Sequence, residues 1–393
     1  MRSISIAVPF AAPRCTFDAG GFSGRRARPC GMDPHGPRIT YAGYLRLNEL
    51  LGLQAGPDGH LPAPCANEQH FIVVHQTYEL WFKQVLTELD ATVQLLGQPS
   101  VPEGDIPRMV RHLERVSEIF RLLSAQWKVM ETLAPQEFLA FRDRLGTSSG
   151  FESWQMRALE LTLGLSDEQR VEGVDPIGHL RRLHAVGDMS DAALADLEAR
   201  VDRPSLHDVL LTWLGRTPID GSLADSDEDE AVVAAFVDGH LSAMRTHADE
   251  VIARMVAVGQ GEPEALERRM SAGVDGAASF LRPDGVVDRA HAGLLYIESH
   301  RHLPLLAWPR RLIDTVVEVE QSMLAFRHAH ARMVERMIGR RMGTGGSAGV
   351  DYLDATTKYR IFTELWAVRT MLVKETMLPQ PRDAAFYGFA GSD

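Results

Sequence analysis

Apolar side chains recur every three or four positions along residues 67–90, and neither glycine nor proline interrupts them. This period is typical of the buried face of a long helix. The stripe consists of Phe71, Val74, Tyr78, Trp81, Phe82, Val85 and Leu89. His75 lies within it, four residues after Phe71, so both side chains project from the same side. A titratable ring in an apolar wall must be hydrogen-bonded, bind a ligand or line a cavity, and a satisfied core residue is the commonest case.

The same helical period returns at residues 41–54, 107–131 and 313–341. The first stretch predicts one short amphipathic helix, whereas the other two predict long helices that cross a core. No stretch sustains the two-residue alternation of a β-strand. The hydrophobic pattern therefore predicts an all-α fold.

The ends of the chain differ from its middle. Residues 1–38 are rich in Gly, Pro and Arg and lack helical periodicity, so we predict a disordered N-terminal tail. Our interpretation is that Met32 is the natural start. We expect one helical domain over residues 39–380, with a solvated acidic linker near residues 221–230, and a C-terminal tail over residues 381–393.

Composition narrows the class of protein. Apolar residues make up 45% and charged residues 24% of the chain, as in a soluble globular protein. The formal net charge of −12 argues against nucleic acid or an anionic membrane as partner, and no apolar run is long enough to predict a transmembrane helix. The cysteines, at positions 15, 30 and 65, form no CxxC pair, so we expect no disulfide framework and a cytoplasmic location.

Three other residues carry candidate chemistry. Arg142 falls at the end of a short helical run before a Gly/Ser/Thr turn, where an arginine is more often a surface charge. His328 and His330 lie two residues apart on the predicted helix over residues 313–341, so they point in well-separated directions. At most one of the two is expected to be a ligand at a given site, and the residues alone rank them equally.

Several segments closely resemble the tryptophan 2,3-dioxygenase family. FIVVHQTYELWFKQVLTEL, from residue 71, is similar to the family's signature helix, Phe-Ile-x-x-His-Gln-x-Tyr-Glu-Leu-Trp-Phe-Lys-Gln. EFLAFRDRLGTSSGFES, from residue 137, resembles a Phe-x-x-Phe-Arg run with its following turn. FRHAHARMVERMIG and GTGGSAG, from residues 326 and 343, resemble the segment that carries the family's proximal histidine.

The resemblance implies a role for each matching residue. His330 would be the axial ligand of a haem iron, since it falls nine residues before Gly339, and His75 would be the catalytic residue on the distal side. Arg142 would bind the substrate carboxylate, for which a planar guanidinium is suited. The remaining substrate-binding residues implied by the resemblance are Phe71, Tyr41, Tyr44, Leu45, Phe138, Ser149, Gly343 and Thr344.

The resemblance also implies a fold and a reaction. The fold is the haem-binding helical bundle of the tryptophan and indoleamine dioxygenases. A non-covalent ferrous haem b and O₂ would open the indole C2–C3 bond of L-tryptophan to give N-formylkynurenine, in tryptophan catabolism by the kynurenine pathway. A homotetramer is expected, in which the N-terminal helix of a neighbouring subunit completes the substrate pocket.

The chain departs from the family pattern near the expected pocket. Ala66, Asn67 and Glu68 replace His-Asp-Glu, His70 replaces a leucine, and Phe326 replaces a tryptophan. These changes keep open an alternative, a haem-dependent monooxygenase that forms a 2-oxindole from tryptophan or a modified tryptophan. A haem-free helical scaffold is a third hypothesis, and the presence of His75, Arg142, His330 and Thr344 together argues against it.

Overall fold

The computed structural model describes residues 39–54, 63–146, 148–171, 175–341 and 349–388. Within these ranges the chain forms α-helices and short 3₁₀ turns, and its β structure is limited to an isolated bridge between Ile219 and Ser222. The predicted all-α fold is confirmed. The α-helices are α1 Tyr41–Tyr44, α2 Leu47–Leu50, α3 Ala66–Leu96, α4 Ile106–Met130, α5 Pro135–Arg142, α6 Trp154–Leu163, α7 Pro176–Ala185, α8 Asp191–Val201, α9 Leu206–Leu214, α10 Asp229–Ala257, α11 Pro263–Leu281, α12 Arg289–Ser299, α13 Ala307–Ile338, α14 Val350–Thr356 and α15 Thr363–Ala367.

The chain divides into two compact units, residues 1–53 and 54–393. The described part of the first unit holds α1 and α2. The single helix predicted over residues 41–54 is wrong, because Arg46 adopts a left-handed φ of 51° and separates the two short helices. A non-glycine residue in that conformation cannot continue a right-handed helix.

The second unit is organised around three long helices. α13 packs against α4, and α4 packs against α3. Their lengths of 32, 25 and 31 residues let each apolar face cross the whole core, because an α-helix rises about 1.5 Å per residue. The long helices predicted from periodicity are therefore confirmed, with ends that shift by a few residues.

Local sequence determines where α3 begins and where α5 ends. α3 begins at Ala66 with Cys65 as its N-cap. Glu68 lies in its first turn, where a carboxylate complements the helix dipole, and it pairs with Arg144 at 2.8 Å. α5 ends at Arg142, as the sequence predicted, and continues into a 3₁₀ turn over Asp143–Leu145.

Buried polar contacts fasten the C-terminal part of the second unit. The carboxylate of Glu320, in α13, accepts hydrogen bonds from the amides of Ile361 and Phe362 at 2.6 and 3.1 Å and from the indole of Trp366. Tyr387, within the segment expected to be a C-terminal tail, is buried, and its hydroxyl donates to the Pro218 carbonyl at 2.9 Å.

The acidic segment near residues 221–230 contacts the helical core at its end. Asp229, the first residue of α10, is buried and pairs with Arg289 at 2.7 Å. The Arg289 guanidinium also donates to the carbonyls of Gly215 and Thr217. Among the described helices, none is long and apolar enough to cross a membrane.

Candidate functional site

A cavity of about 750 Å³ opens inside the second unit, between α3, α4, α5, α6, α13 and α14. Its wall is mostly apolar and aromatic, with a few ionisable groups, which is the usual composition of a small-molecule site. The side chains on this wall include Phe71, His75, Tyr78, Trp127, Phe138, Arg142, Ser149, Arg157, Phe326, Arg327, His330 and Tyr352.

His75 projects from α3 into this cavity. Its Nδ1 lies 2.8 Å from the carbonyl oxygen of Phe71, one turn earlier. A carbonyl only accepts, so Nδ1 carries the proton and Nε2 keeps a free lone pair. Burial lowers the pKa of His75, against a smaller opposing effect of the Phe71 hydrogen bond, so the ring is neutral at neutral pH. His75 therefore presents a hydrogen-bond acceptor to the cavity.

His330 projects from α13 into the same cavity. Its ring lies parallel to the indole of Trp127, with centroids 4.5 Å apart and 7° between the planes. Burial, with smaller contributions from His75 and Arg327, lowers the pKa of His330 to about 3. Its ring nitrogens make no hydrogen bond with the described residues. The imidazole is thus neutral, held in orientation by stacking, and able to donate a lone pair.

His328 occupies the opposite situation. It lies two residues earlier on α13 and is exposed, and it does not line the cavity. The structure therefore separates the two histidines that the residues alone could not rank, in agreement with their predicted divergence around the helix.

Aromatic rings form one end of the cavity. Phe71 lies 5.8 Å from Phe138 and 5.7 Å from Phe141, and it contacts the His75 ring at 4.0 Å between centroids. Offset and edge contacts at such distances give a rigid apolar slot. Arg142, partly exposed at the end of α5, lines the same cavity, and so does Ser149.

The wall formed by α6 and α13 is charged. Arg157 and Arg327 line the cavity, and behind them Glu160 is fully buried. Glu160 pairs with Arg157 at 3.2 Å, with Arg327 at 2.7 Å and with Arg170 at 2.7 Å. Burial alone would raise the pKa of Glu160, but the three guanidinium groups outweigh it and hold the pKa at about 2.

Five of the predicted substrate-binding residues do not belong to the described part of the second unit. Tyr41, Tyr44 and Leu45 belong to the first unit and are exposed. Gly343 and Thr344 fall outside the described residues. The structure brings together the other predicted site residues, which are His75, Phe71, Phe138, Arg142, Ser149 and His330.

The departures from the family pattern are accommodated structurally. The His70 ring nitrogen Nε2 donates to the carbonyl of Val129 at 3.2 Å. Phe326 is buried and stacks on Trp127 with 5.9 Å between centroids. Apolar packing beside His330 is therefore kept although the ring type has changed.

Sequence reasoning missed Trp127 and the arginines at positions 157 and 327 as site residues. Trp127, in α4, stacks on both His330 and Tyr78, which lie on two other helices. A signal existed for Arg157, because it lies three residues before Glu160 in a helix with no other charged side chain.

The residues present fit a haem better than a metal ion held by protein ligands alone. Among the residues that the structure describes, no group of three or more His, Cys, Asp or Glu side chains could hold a metal ion. A neutral imidazole that projects into a large apolar cavity suits a haem, because the porphyrin nitrogens already supply four of the ligands of the iron. The Nε atoms of Arg157 and Arg327 are buried and unpartnered, which leaves capacity to bind anionic groups.

The fold and cavity define an all-helical protein with two neutral imidazoles on one apolar site. Residues 32–372 match the family described as tryptophan 2,3-dioxygenase, so the chain belongs to that family. Tryptophan 2,3-dioxygenase 2 of Ralstonia nicotianae is 40% identical over 90% of this chain and 98% of its own length. Tryptophan 2,3-dioxygenase of Sorangium cellulosum is 41% identical over 94% of this chain and 92% of its own.

A shorter relative is also similar. The tryptophan 2,3-dioxygenase-like protein of Xanthomonas campestris pv. campestris is 43% identical over 65% of this chain and 98% of its own length. This family is one of haem-dependent oxidoreductases, and membership in it favours the oxidation of tryptophan by a dioxygenase over the one-oxygen alternative.

Proposed function

We propose that this chain binds haem b through His330 and uses O₂ to open the indole ring of L-tryptophan, giving N-formylkynurenine. The observation that carries the proposal is the pairing of two neutral imidazoles, His75 and His330, on one aromatic cavity with Arg142 at its wall. Family membership supplies the reaction, and these residues supply its geometry.

His330 would hold the haem by binding its iron. A ligand imidazole must be neutral, and a pKa of about 3 keeps the lone pair available throughout the physiological range. Trp127 fixes the ring plane by stacking, so little rotational freedom is lost when the bond to a metal forms. A bound haem supplies the ferrous iron at which O₂ is activated.

The substrate is held by three kinds of contact. Phe71 and Phe138 form an apolar slot for the flat indole, and Arg142 binds the carboxylate through paired charge-assisted hydrogen bonds. His75 accepts the indole N–H at Nε2, because its Nδ1 is already committed to the Phe71 carbonyl. Ser149, on the same wall, adds a hydroxyl beside the amino-acid end, and Gly343 with Thr344 binds the ammonium group.

Positioning is the main contribution of these side chains. Held in this slot, the indole is orientated towards the activated oxygen, and the apolar rings exclude bulk water. No protein group on this wall is needed as a source of electrons, since dioxygenation places both oxygen atoms in the product without an external reductant.

The first unit is the proposed contribution of a neighbouring subunit in a homotetramer. Tyr41 and Tyr44 are 76% and 75% exposed, and Leu51 and Leu53 are also largely exposed. So many exposed large apolar side chains on two short helices indicate a surface that is covered in an assembly. Tyr41, Tyr44 and Leu45 would then close the neighbour's pocket, and a fully active monomer would overturn this assignment.

The cytoplasm is the proposed location. Cys65, the one cysteine within the described residues, is free and exposed, as suits a reducing compartment.

Anaerobic reconstitution tests the proposed function. Protein loaded with ferrous haem is mixed with L-tryptophan and O₂, and the product absorbance is followed without any added reductant. We expect N-formylkynurenine to accumulate over many turnovers. A normal haem spectrum with turnover only when reductant is present would move the protein to the oxindole-forming alternative. Absence of haem binding would revive the scaffold hypothesis.

A further inference from the structure

The buried cluster of Glu160, Arg157, Arg170 and Arg327 has an unbalanced charge. Three guanidinium groups surround one carboxylate, and all four side chains are less than 10% exposed. Asp167 lies 3.3 Å from Arg170 but is itself exposed to solvent. Even if it offsets Arg170 completely, the two guanidinium groups on the cavity wall share one buried carboxylate.

Uncompensated buried charge is costly, so a folded protein does not retain it without a counter-charge. Among the described residues, no acidic side chain other than Glu160 and Asp167 pairs with these arginines. The Arg327 guanidinium stacks over the Tyr359 ring at 4.9 Å, and the hydroxyl of Tyr359 accepts from the Val171 amide at 3.2 Å. The Tyr359 side chain is neutral, so it does not balance the charge of Arg327.

Two of the three arginines of the cluster reach the cavity wall. Arg157 and Arg327 line it, Glu160 lies behind them, and the Nε atoms of both arginines are buried without a hydrogen-bond partner. An anionic ligand bound in the cavity would therefore balance the charge of these two arginines. Carboxylates are the natural match, because a guanidinium can bind them through two parallel hydrogen bonds.

We propose that this cluster is the binding site for the carboxylates of the porphyrin, in which Glu160 supplies part of the counter-charge of Arg157 and Arg327. This inference rests on the proposed function. Glu160 and the porphyrin carboxylates balance the charge of the same arginines. When one of these carboxylates is lost, the remaining one therefore contributes more to stability. That reciprocity is a thermodynamic coupling between a buried side chain and a ligand.

The first test compares iron protoporphyrin IX with its dimethyl ester, which lacks the charges but keeps the macrocycle and the iron. Full-length apo-protein is titrated with each porphyrin and the Soret band is followed. Wild-type protein should bind the diacid more tightly by at least about tenfold, the value of one charge-assisted hydrogen bond. In Arg327→Met the preference should largely disappear, while affinity for the diester stays the same.

Arg200→Met is the matched control. Arg200 is another buried arginine, paired at 2.8 Å with Asp90 and with Asp196 and outside the cavity lining. Its replacement should lower stability and leave the diacid preference unchanged. Equal loss of preference in both variants would show a general structural effect and overturn the assignment.

The second test uses Glu160→Gln and thermal midpoints. The apo-variant should melt at a lower temperature than wild type, because three buried guanidinium groups then lack their carboxylate. Loading with the diacid should raise the midpoint by more than it does in wild type, whereas the diester should raise both proteins equally. Identical shifts for diacid and diester in Glu160→Gln would contradict the coupling, and if that variant fails to fold, Arg327→Met still decides.

The amino-acid substrate is a second source of a carboxylate, and one arm separates the two. In Arg327→Met loaded with haem, the preference for L-tryptophan over tryptamine should equal that of wild type, because these two ligands differ only in the substrate carboxylate. Loss of that preference with an intact diacid preference would assign the cluster to the substrate instead. If neither porphyrin produces a Soret band in wild-type protein, the proposed function itself fails. If both bind equally, only the carboxylate site fails.

Discussion

A single stacking contact distinguishes His330 from every other candidate ligand in the described cavity wall. Trp127 holds its ring in a plane, and burial keeps it unprotonated. His75 shares the cavity, but the Phe71 carbonyl already engages its Nδ1. The two imidazoles are therefore inequivalent, one free to bind a metal and one orientated as a hydrogen-bond acceptor.

Replacing His330 should abolish normal haem ligation. We expect His330→Ala to lose haem or shift its Soret band strongly, because the other histidine in the described cavity lining, His75, lies on a different helix, α3. His328→Ala is the control, since His328 is exposed on the same helix. Absorption spectra of the two purified proteins decide the matter. A normal spectrum in His330→Ala together with a lost spectrum in His328→Ala would refute the assignment.

Arg142 is expected to recognise the substrate carboxylate. Arg142→Ala should weaken L-tryptophan binding by about 2–4 kcal/mol, the usual cost of truncating a buried charge pair. Tryptamine lacks the carboxylate, so its dissociation constant should be the same in both proteins. Arg144→Ala, two residues away and paired with Glu68, serves as the control. An unchanged dissociation constant for tryptophan in Arg142→Ala would remove this role.

At the scale of elements, α13 links the cavity to the C-terminal segment. His330 lies towards the C-terminal end of this helix. Two to three turns earlier, the carboxylate of Glu320 accepts hydrogen bonds from the backbone amides of Ile361 and Phe362. A rigid helix that is fastened at a buried carboxylate also fixes the register of the residues that line the site.

Glu320→Ala should therefore destabilise the protein by about 3 kcal/mol, because buried N–H donors lose their acceptor. Urea denaturation followed by tryptophan fluorescence measures this, since Trp366 is one of the donors. Glu318→Ala is a matched control on the same helix. Its carboxylate is half-exposed, with partners at 3.6 and 3.9 Å, so its loss should cost about 0.5 kcal/mol or less. An equal loss of unfolding free energy in both variants would contradict the stabilising role of the Glu320 hydrogen bonds.

Periodicity predicted the long helices because a buried face repeats over many turns and small errors cancel. It did not predict the break at Arg46, which depends on the conformation of one residue. The same distinction holds at the site. His75 and Arg142 could be found from local motifs, but the contact between Glu160 and Arg327 joins residues from α6 and α13 that no local pattern connects.

On the scale of the whole molecule, the second unit contains a further buried histidine group whose titration affects stability. His300 is almost fully buried against Tyr296, with 4.5 Å between ring centroids, and its Nδ1 has no partner. Burial lowers the pKa of His300 to about 4, and His302 and His240 contribute to the same direction. His240, also buried, bonds to the Met371 carbonyl at 2.9 Å.

Acid should destabilise the fold through this group. Between pH 6.5 and about 4 the unfolded chain binds a proton at His300 that the folded chain does not, so stability falls as pH falls. The shift corresponds to about 3 kcal/mol at most. Thermal midpoints of apo-protein across this window should drop less steeply in His300→Gln than in wild type. His328→Gln, at an exposed position outside this histidine cluster, is the control. Parallel curves for wild type and His300→Gln would exclude the effect.

The central claim is that the helical cavity directs both atoms of O₂ into the indole ring. Reaction of haem-loaded protein with L-tryptophan under ¹⁸O₂, with the product mass read directly, tests it. The account predicts a product that carries two labelled oxygen atoms and forms without added reductant. A product with one labelled atom, formed only when reductant is supplied, would contradict it.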